Sequence, residues 1–368
     1  MNHSRSQLSR ILTRDRFRIS LPFIALLSLT TSLSAAGTDV TAAELSGIDG
    51  PTGIAVSGTH LWVVNAKGNS VSELNTSTGA VEWIAASSKY DLHDPEGIAV
   101  TGADLWITNG SRDSITEINA ANGSLIRVLD SSRYGFDYPG AILASGTRIW
   151  LVSGGNVRHD GSIVEINSST GALVRDINSK ADQLYSPVGL AVSGGHIWVT
   201  NQLNNSVTEL NEQDGSLVRV IKARADEFDE PYGVAVAGTD VWVANGSGND
   251  PLTELNALNG SLVRVVSATS SWRDSPWGNI YGGAHAWNLV IDGSDVWVAN
   301  TLNVIEVSES TGSLVRVLSA KSAQFKYAQN IVSEAGDIWV SSYYGDSVDE
   351  VNGSTGVLVR LYLAASNS

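Results

Sequence analysis

The side chains able to do chemistry gather beside a recurring Pro-x-Gly. Asp94 and Glu96 flank Pro95, Glu230 and Tyr232 flank Pro231, and Tyr138 precedes Pro139. Tyr327 and Gln329 stand at the matching places of the last such segment, and His285 and Trp287 at those of the one before. Carboxylates attract cations, and hard divalent ions take oxygen ligands, which makes Glu96 and Glu230 the donors a metal would use. Aromatic faces stack on sugars or receive ammonium groups. A second group lies in the stretch SATSSWRDSPWGNIYGGAHAW, where Trp272, Trp277, Tyr281, His285 and Trp287 sit among Gly, Pro and Asp. Aromatics gathered on a loop mark a binding surface, or else pack back onto the fold. The chain has no cysteine, which excludes thiolate nucleophiles, thiolate metal sites and disulfides.

These residues are positioned by a repeat. The stretch PVGLAVSGGHIWVTNQLNNSVTELNEQDGSLVRVI, from Pro187 to Ile221, holds four short apolar runs separated by turn-forming Gly, Asn, Asp and Ser. The same pattern recurs along the chain with its tryptophan at 62, 106, 150, 198, 242, 297 and 339, in steps of 44, 44, 48, 44, 55 and 42 residues. A period in the low-to-mid forties with four strands per unit is the signature of propeller blades, and the runs are too short and β-branched for helices. The prediction is an all-β, seven-bladed β-propeller of four-stranded antiparallel blades over residues 51–368. Within a blade, strand a follows the Pro-x-Gly, because proline fixes φ and cannot donate to a ladder. Strand b carries the tryptophan, wedged against a neighbouring blade. All four strands of every blade are expected from one continuous segment, so that the ring closes by side-chain packing without a strand from the opposite terminus.

Strand c brings Glu73, Glu117, Glu165, Glu209, Glu254, Glu306 and Glu350; strand d answers with Arg127, Arg175, Arg219, Arg264, Arg316 and Arg360, and with Trp83 in the first blade. The hairpin register places acid and base opposite each other. They are expected as cross-strand ion pairs on the blade rims, each contributing roughly 0.2–1 kcal/mol. Strands a and c run against b and d, which puts the d-to-a and b-to-c loops on one face. The candidate residues above therefore crowd the mouth of the central channel, joined there by Arg158, His159 and Asp160 of the long third b-to-c loop. His60 and His196 fall at a-to-b turns on the other face.

Residues 1–36 stand outside the repeat. Five arginines (Arg5, Arg10, Arg14, Arg16, Arg18) precede the apolar run LPFIALLSLTTSL and the small residues Ser34, Ala35 and Ala36. This order reads as a secretory signal peptide cleaved after Ala36, followed by a lead-in over residues 37–50. Export to the periplasm or the exterior is expected, with no stable membrane insertion once the signal is removed. A net charge of −15 argues against nucleic acid as a partner.

The segments GVAVAGTDVWVAN (Gly233 to Asn245) and GIAVSGTHLWVVN (Gly53 to Asn65), each followed by an SVTELN-like strand and a GSLVRV-like strand, resemble the NHL/YVTN superfamily of β-propeller repeats. The resemblance covers residues 50–365 and implies strands a to d running from axis to rim. It implies no single activity, since the superfamily includes sensor ectodomains, protein-binding scaffolds, lactonases and antibiotic lyases. The streptogramin lyases among them use histidine with a carboxylate-bound magnesium near the axis, and that motif is not found on this chain. No nucleophile–base pattern appears either. The expectation is a monomeric binding module, without a cofactor, that takes a small molecule, a protein or a peptide through its d-to-a loop face. The alternative is a metal-dependent hydrolase or lyase at the channel mouth, using Glu96, Glu230 and His285 around a divalent cation.

Overall fold

Alternating apolar residues and turn residues at fixed offsets build seven separate antiparallel sheets. The structure is a computed structural model that describes residues 41–45, 47–86, 88–154, 161–178, 180–222, 228–247, 251–267, 286–319 and 325–364. The proposed signal peptide lies outside the described residues. Among the described residues, no helix is long and apolar enough to cross a membrane. The fourth blade shows the plan, with strand a at Pro187–Ser193, b at His196–Asn201, c at Ser206–Asn211 and d at Leu217–Lys222, hydrogen-bonded in that order. The predicted seven-bladed, four-stranded propeller is the observed fold.

One such sheet leaves both faces apolar, and the neighbouring blades cover them. Seven apolar clusters are each shared by two adjacent blades. Trp242 of the fifth blade, for example, packs with Leu289, Val296 and Val298 of the sixth. All seven strand-b tryptophans are buried.

The strand-c glutamates do not lie on the rims as expected. They are buried, Glu209 to 1% exposure, because strand c is an inner strand whose face the next blade covers. In register, Trp198 faces Glu209, which faces Arg219. Arg219 Nε lies 2.7 Å from Glu209 Oε2, and the same arginine donates to the Leu258 carbonyl of the next blade at 3.1 Å. Arg175, Arg264 and Arg316 repeat this reach onto the Gln213, Ser310 and Ser354 carbonyls. The rim pair is thus an inter-blade tie. Turn glycines make room for it: Gly260 has φ +72°, and a Cβ there would lie 2.9–3.2 Å from Ile221 and Arg219. In the first blade Trp83 takes over the role, its Nε1 donating to the Ala120 carbonyl at 3.1 Å. His60 and His196 are also structural, each bringing Nδ1 to the buried glutamate of its own blade.

Ring closure is the second correction. Strand β1 (Thr41–Leu45) adds in parallel to the outer edge of Leu358–Ala364, making the seventh blade five-stranded. The chain then crosses to the first blade, where the Gly47 carbonyl accepts from Asn65 Nδ2 at 2.9 Å and Ile48 is buried beside Trp339 and Tyr362. The four inner strands of that blade do come from one segment, and Arg360 and Tyr362 bond the Ser77 and Thr76 carbonyls across the seam at 3.2 Å.

Two outcomes follow. Glu209→Ala should lower stability in urea by about 3 kcal/mol, the cost of stranding a partner charge, where a rim pair would show less than about 1 kcal/mol. A chain beginning at Gly47 should exchange the amides of Leu358–Ala364 about tenfold faster than the full chain, with the fourth blade unchanged; equal exchange would contradict closure by the N-terminal strand.

Candidate functional site

A residue in the left-handed region leads into strand a, directly at Gly50 (φ 61°), Asp94 (51°), Ser186 (51°), Glu230 (51°) and Tyr327 (63°), and with three residues intervening at Tyr138 (46°). For a residue with a Cβ this conformation costs about 1 kcal/mol. It is held by the preceding blade. The N–H groups of Gly50, Asp94, Tyr138 and Glu230 donate to Asp346, Asn69, Asp113 and Asn205 side chains at 2.8, 2.8, 2.7 and 3.0 Å. The Asn or Asp just before strand c therefore fixes where the next blade starts.

This clasp aims the middle residue of each Pro-x-Gly, or its equivalent, at the axis. Thr52, Glu96, Gly140, Val188, Tyr232, Trp287 and Gln329, one from every blade, line a single cavity of about 390 Å³. That volume falls in the range of small-ligand pockets. Tyr138, Tyr327, Gln202, Asn288 and Asn330 complete the polar and aromatic wall.

The mouth has two unlike sides. On one, Tyr138 Oη lies 3.0 Å from Asp94 Oδ2 and 3.5 Å from Glu96 Oε1, and Ser111 Oγ donates to Asp94 Oδ2 at 3.0 Å. Burial, with the Asp94 charge adding to it, pushes the Glu96 carboxyl up to about 7. Burial and the two carboxylates likewise hold the Tyr138 phenol well above its ordinary value. On the other side, Tyr232 meets Trp287 edge-on at 4.8 Å between ring centres, and Trp287 meets Tyr327 at 5.1 Å. Tyr327 continues to Tyr344 at 5.3 Å, and Lys67 of the first blade lies over Tyr343 at 4.7 Å. Gln202 donates to Tyr232 Oη at 2.9 Å and Trp287 Nε1 to Thr301 Oγ1 at 3.1 Å, fixing both rings. Gly246 accommodates Tyr232: a Cβ there would meet the ring at 2.6 Å.

Of the sequence candidates, Glu96, Tyr138, Tyr232, Trp287, Tyr327 and Gln329 converge on the cavity, and Asp94 joins them through Tyr138. Glu230 does not line it; its backbone carbonyl accepts from Gly246 N–H at 2.8 Å. Trp272, Trp277, Tyr281, His285, Arg158, His159 and Asp160 lie outside the described residues. Among the described residues, no three His, Cys, Asp or Glu side chains converge to hold a metal. Sequence reasoning missed Gln202, Asn288, Asn330 and the Tyr343–Tyr344 pair. The last had a signal, since the other b-to-c loops carry no aromatic residue at those two places.

No family model matches the chain, and no curated protein matches its sequence. Solved structures match its fold. Hydrazine synthase of Kuenenia stuttgartiensis superposes with a TM-score of 0.68 at 17% identity, covering 87% of this chain and 99% of that one. The β-propeller domain of Myceliophteria thermophila Cps50 (Swd1) gives 0.64 at 10% identity over 85% and 98%. A functionally unknown protein from Desulfotomaculum acetoxidans gives 0.64 at 16% over 83% and 95%. At these identities the likeness is one of fold.

Glu96 makes a signed prediction. Its carboxyl titrates near 7 in the folded chain against an ordinary 4.5, so the folded state keeps a proton that the unfolded state has lost. Stability should therefore fall as pH rises from about 4.5 through 7. Glu96→Gln should remove as much as about 3 kcal/mol of that fall in urea titrations. Parallel pH profiles for the two proteins would contradict the assignment.

Proposed function

We propose that this protein is an exported binding module that takes a small ligand or a peptide segment into the mouth of its central channel, through the d-to-a loop face. The observation that carries this reading is the convergence of one residue from every blade on one cavity, where four blades contribute large polar or aromatic groups in place of the small residues the axis needs for packing. Carboxylates on one side and stacked rings on the other suit a ligand with a cationic or hydroxyl-rich end and an apolar face. The repeat motif resembles that of NHL/YVTN propellers, where ligand and protein binding are common uses, and the arginine-rich leader supports export. A hydrolase or lyase would need Glu96, Glu230 and His285 on one ion, and Glu230 stands away from the cavity lining.

A thermal-shift screen of amines, sugars and short basic peptides tests the reading. Trp287→Ala should weaken any ligand found by about tenfold or more, as loss of a central aromatic anchor does. An unchanged affinity would place the site elsewhere. Export is checked separately by expressing the full chain in a bacterium and sequencing its N-terminus. Protein recovered outside the cytoplasm should begin at Gly37, whereas a cytoplasmic chain retaining residues 1–36 would contradict export.

A further inference from the structure

We propose that the mouth takes an organic ammonium ion in exchange for a proton: the ligand's charged nitrogen replaces the proton that Glu96 shares with Asp94 through the Tyr138 hydroxyl, while its apolar body lies against Tyr232, Trp287 and Tyr327. This rests on the mouth being the binding site.

A phenol has one hydrogen to donate, yet Tyr138 Oη stands between two carboxyl groups, 3.0 Å from Asp94 and 3.5 Å from Glu96. Asp94 Oδ2 also accepts from Ser111 Oγ at 3.0 Å, so Asp94 collects two donors and is the member that holds negative charge. Glu96 faces the tyrosine oxygen and the Asp94 charge from a half-buried place, and is the member that keeps the proton. Its titration near 7 agrees with that assignment.

The cations nearby are otherwise engaged. Lys67 pairs with Asp346 at 2.8 Å and lies over Tyr343, whose phenol feels both Asp94 and Glu96 from across the mouth. Arg112, on the segment that packs against Asp94, lies 3.7 Å from Asp91 and 3.1 Å from His93. Among the described residues, no lysine or arginine forms an ion pair with Glu96 or Asp94. The counter-charge is left for a ligand to supply.

A further acceptor waits beside them. Gln329 lines the cavity, and its buried Oε1 has no hydrogen-bond partner among the described residues. It suits an N–H donor, which a primary or secondary ammonium provides. A hard metal ion would use the oxygen donors of this mouth and leave its three aromatic rings idle, whereas an organic ammonium engages both. The exchange balances as Glu96–COOH plus R–NH3⁺ giving the Glu96 carboxylate paired with R–NH3⁺, with one proton released to water.

Calorimetric titration with phenethylammonium, in pairs of buffers differing in ionisation enthalpy, tests this. At pH 6 the full chain should release close to one proton per ligand bound. At pH 8.5 it should release close to none. Affinity should rise roughly fivefold between pH 6 and pH 7, and about tenfold in all by pH 8.5, where it levels off. Glu96→Gln, with its melting temperature checked, should bind more weakly and without pH dependence. Tyr138→Phe should keep proton release but shift its midpoint, because the hydroxyl that links Glu96 to Asp94 is gone. Neutral phenethyl alcohol should bind at least about tenfold more weakly than the amine. Binding with no proton released, equal binding of the alcohol, absence of amine binding, or displacement of the amine by Mg²⁺ alone would each overturn the proposal. A ligand from the screen that Trp287→Ala weakens without proton release would overturn the exchange and leave the binding site standing.

Discussion

The structure depends on one constraint: a four-stranded sheet with two apolar faces has no stable place except between two others like it. Every blade buries its tryptophan against the next, and the seven shared clusters together form a closed core. Polar groups reinforce the same contacts. The strand-d arginine satisfies a buried glutamate in its own blade and a turn carbonyl in the following one. The Asn or Asp before strand c holds the left-handed residue from which the next blade departs. Both ties run between blades, so a blade's geometry is complete only when its neighbour is present.

That interdependence explains what the sequence made legible. The tryptophan spacing and the repeated Pro-x-Gly state the blade number and the position of each residue in its blade, which suffices to bring Glu96, Tyr232, Trp287 and Gln329 to the axis. It does not suffice for burial. The hairpin register sets Glu209 opposite Arg219, but the covering face belongs to the neighbouring blade, and a single repeat carries no sign of it. The closing strand was hidden for a different reason. The segment TAAEL lies outside the repeat, and its five residues pair through their backbone with the edge of the last blade. Glu230 shows the limit of counting by position: it shares its place and its left-handed φ with Tyr138 and Tyr327, which line the cavity, yet it does not line it itself.

The same repetition that fixes the scaffold frees the mouth. Seven equivalent positions must be compatible with a narrow axis, and Gly140, Val188 and Thr52 meet that demand with small groups. The remaining four are large, and they are sorted: acid in the second blade, rings in the fifth and sixth, an amide in the seventh. Glycines at 110 and 246 in the b-to-c loops give the Tyr138 and Tyr232 rings their space, so the enlarged side chains and their clearances come as matched pairs. The propeller itself is indifferent to this sorting. Its shape supplies the place, and the side chains at four blades supply the chemistry.

The account stands or falls on ligand contact at Trp287. Fluorine NMR of protein carrying 5-fluorotryptophan resolves that ring from the blade tryptophans, with Trp287→Phe assigning its signal. Addition of phenethylammonium should move the Trp287 resonance and leave those of Trp106, Trp150, Trp198 and Trp242 in place, since these are sealed between blades. A saturating ligand that moves a blade tryptophan, or moves none while Trp287 stays still, would contradict the mouth as the binding site.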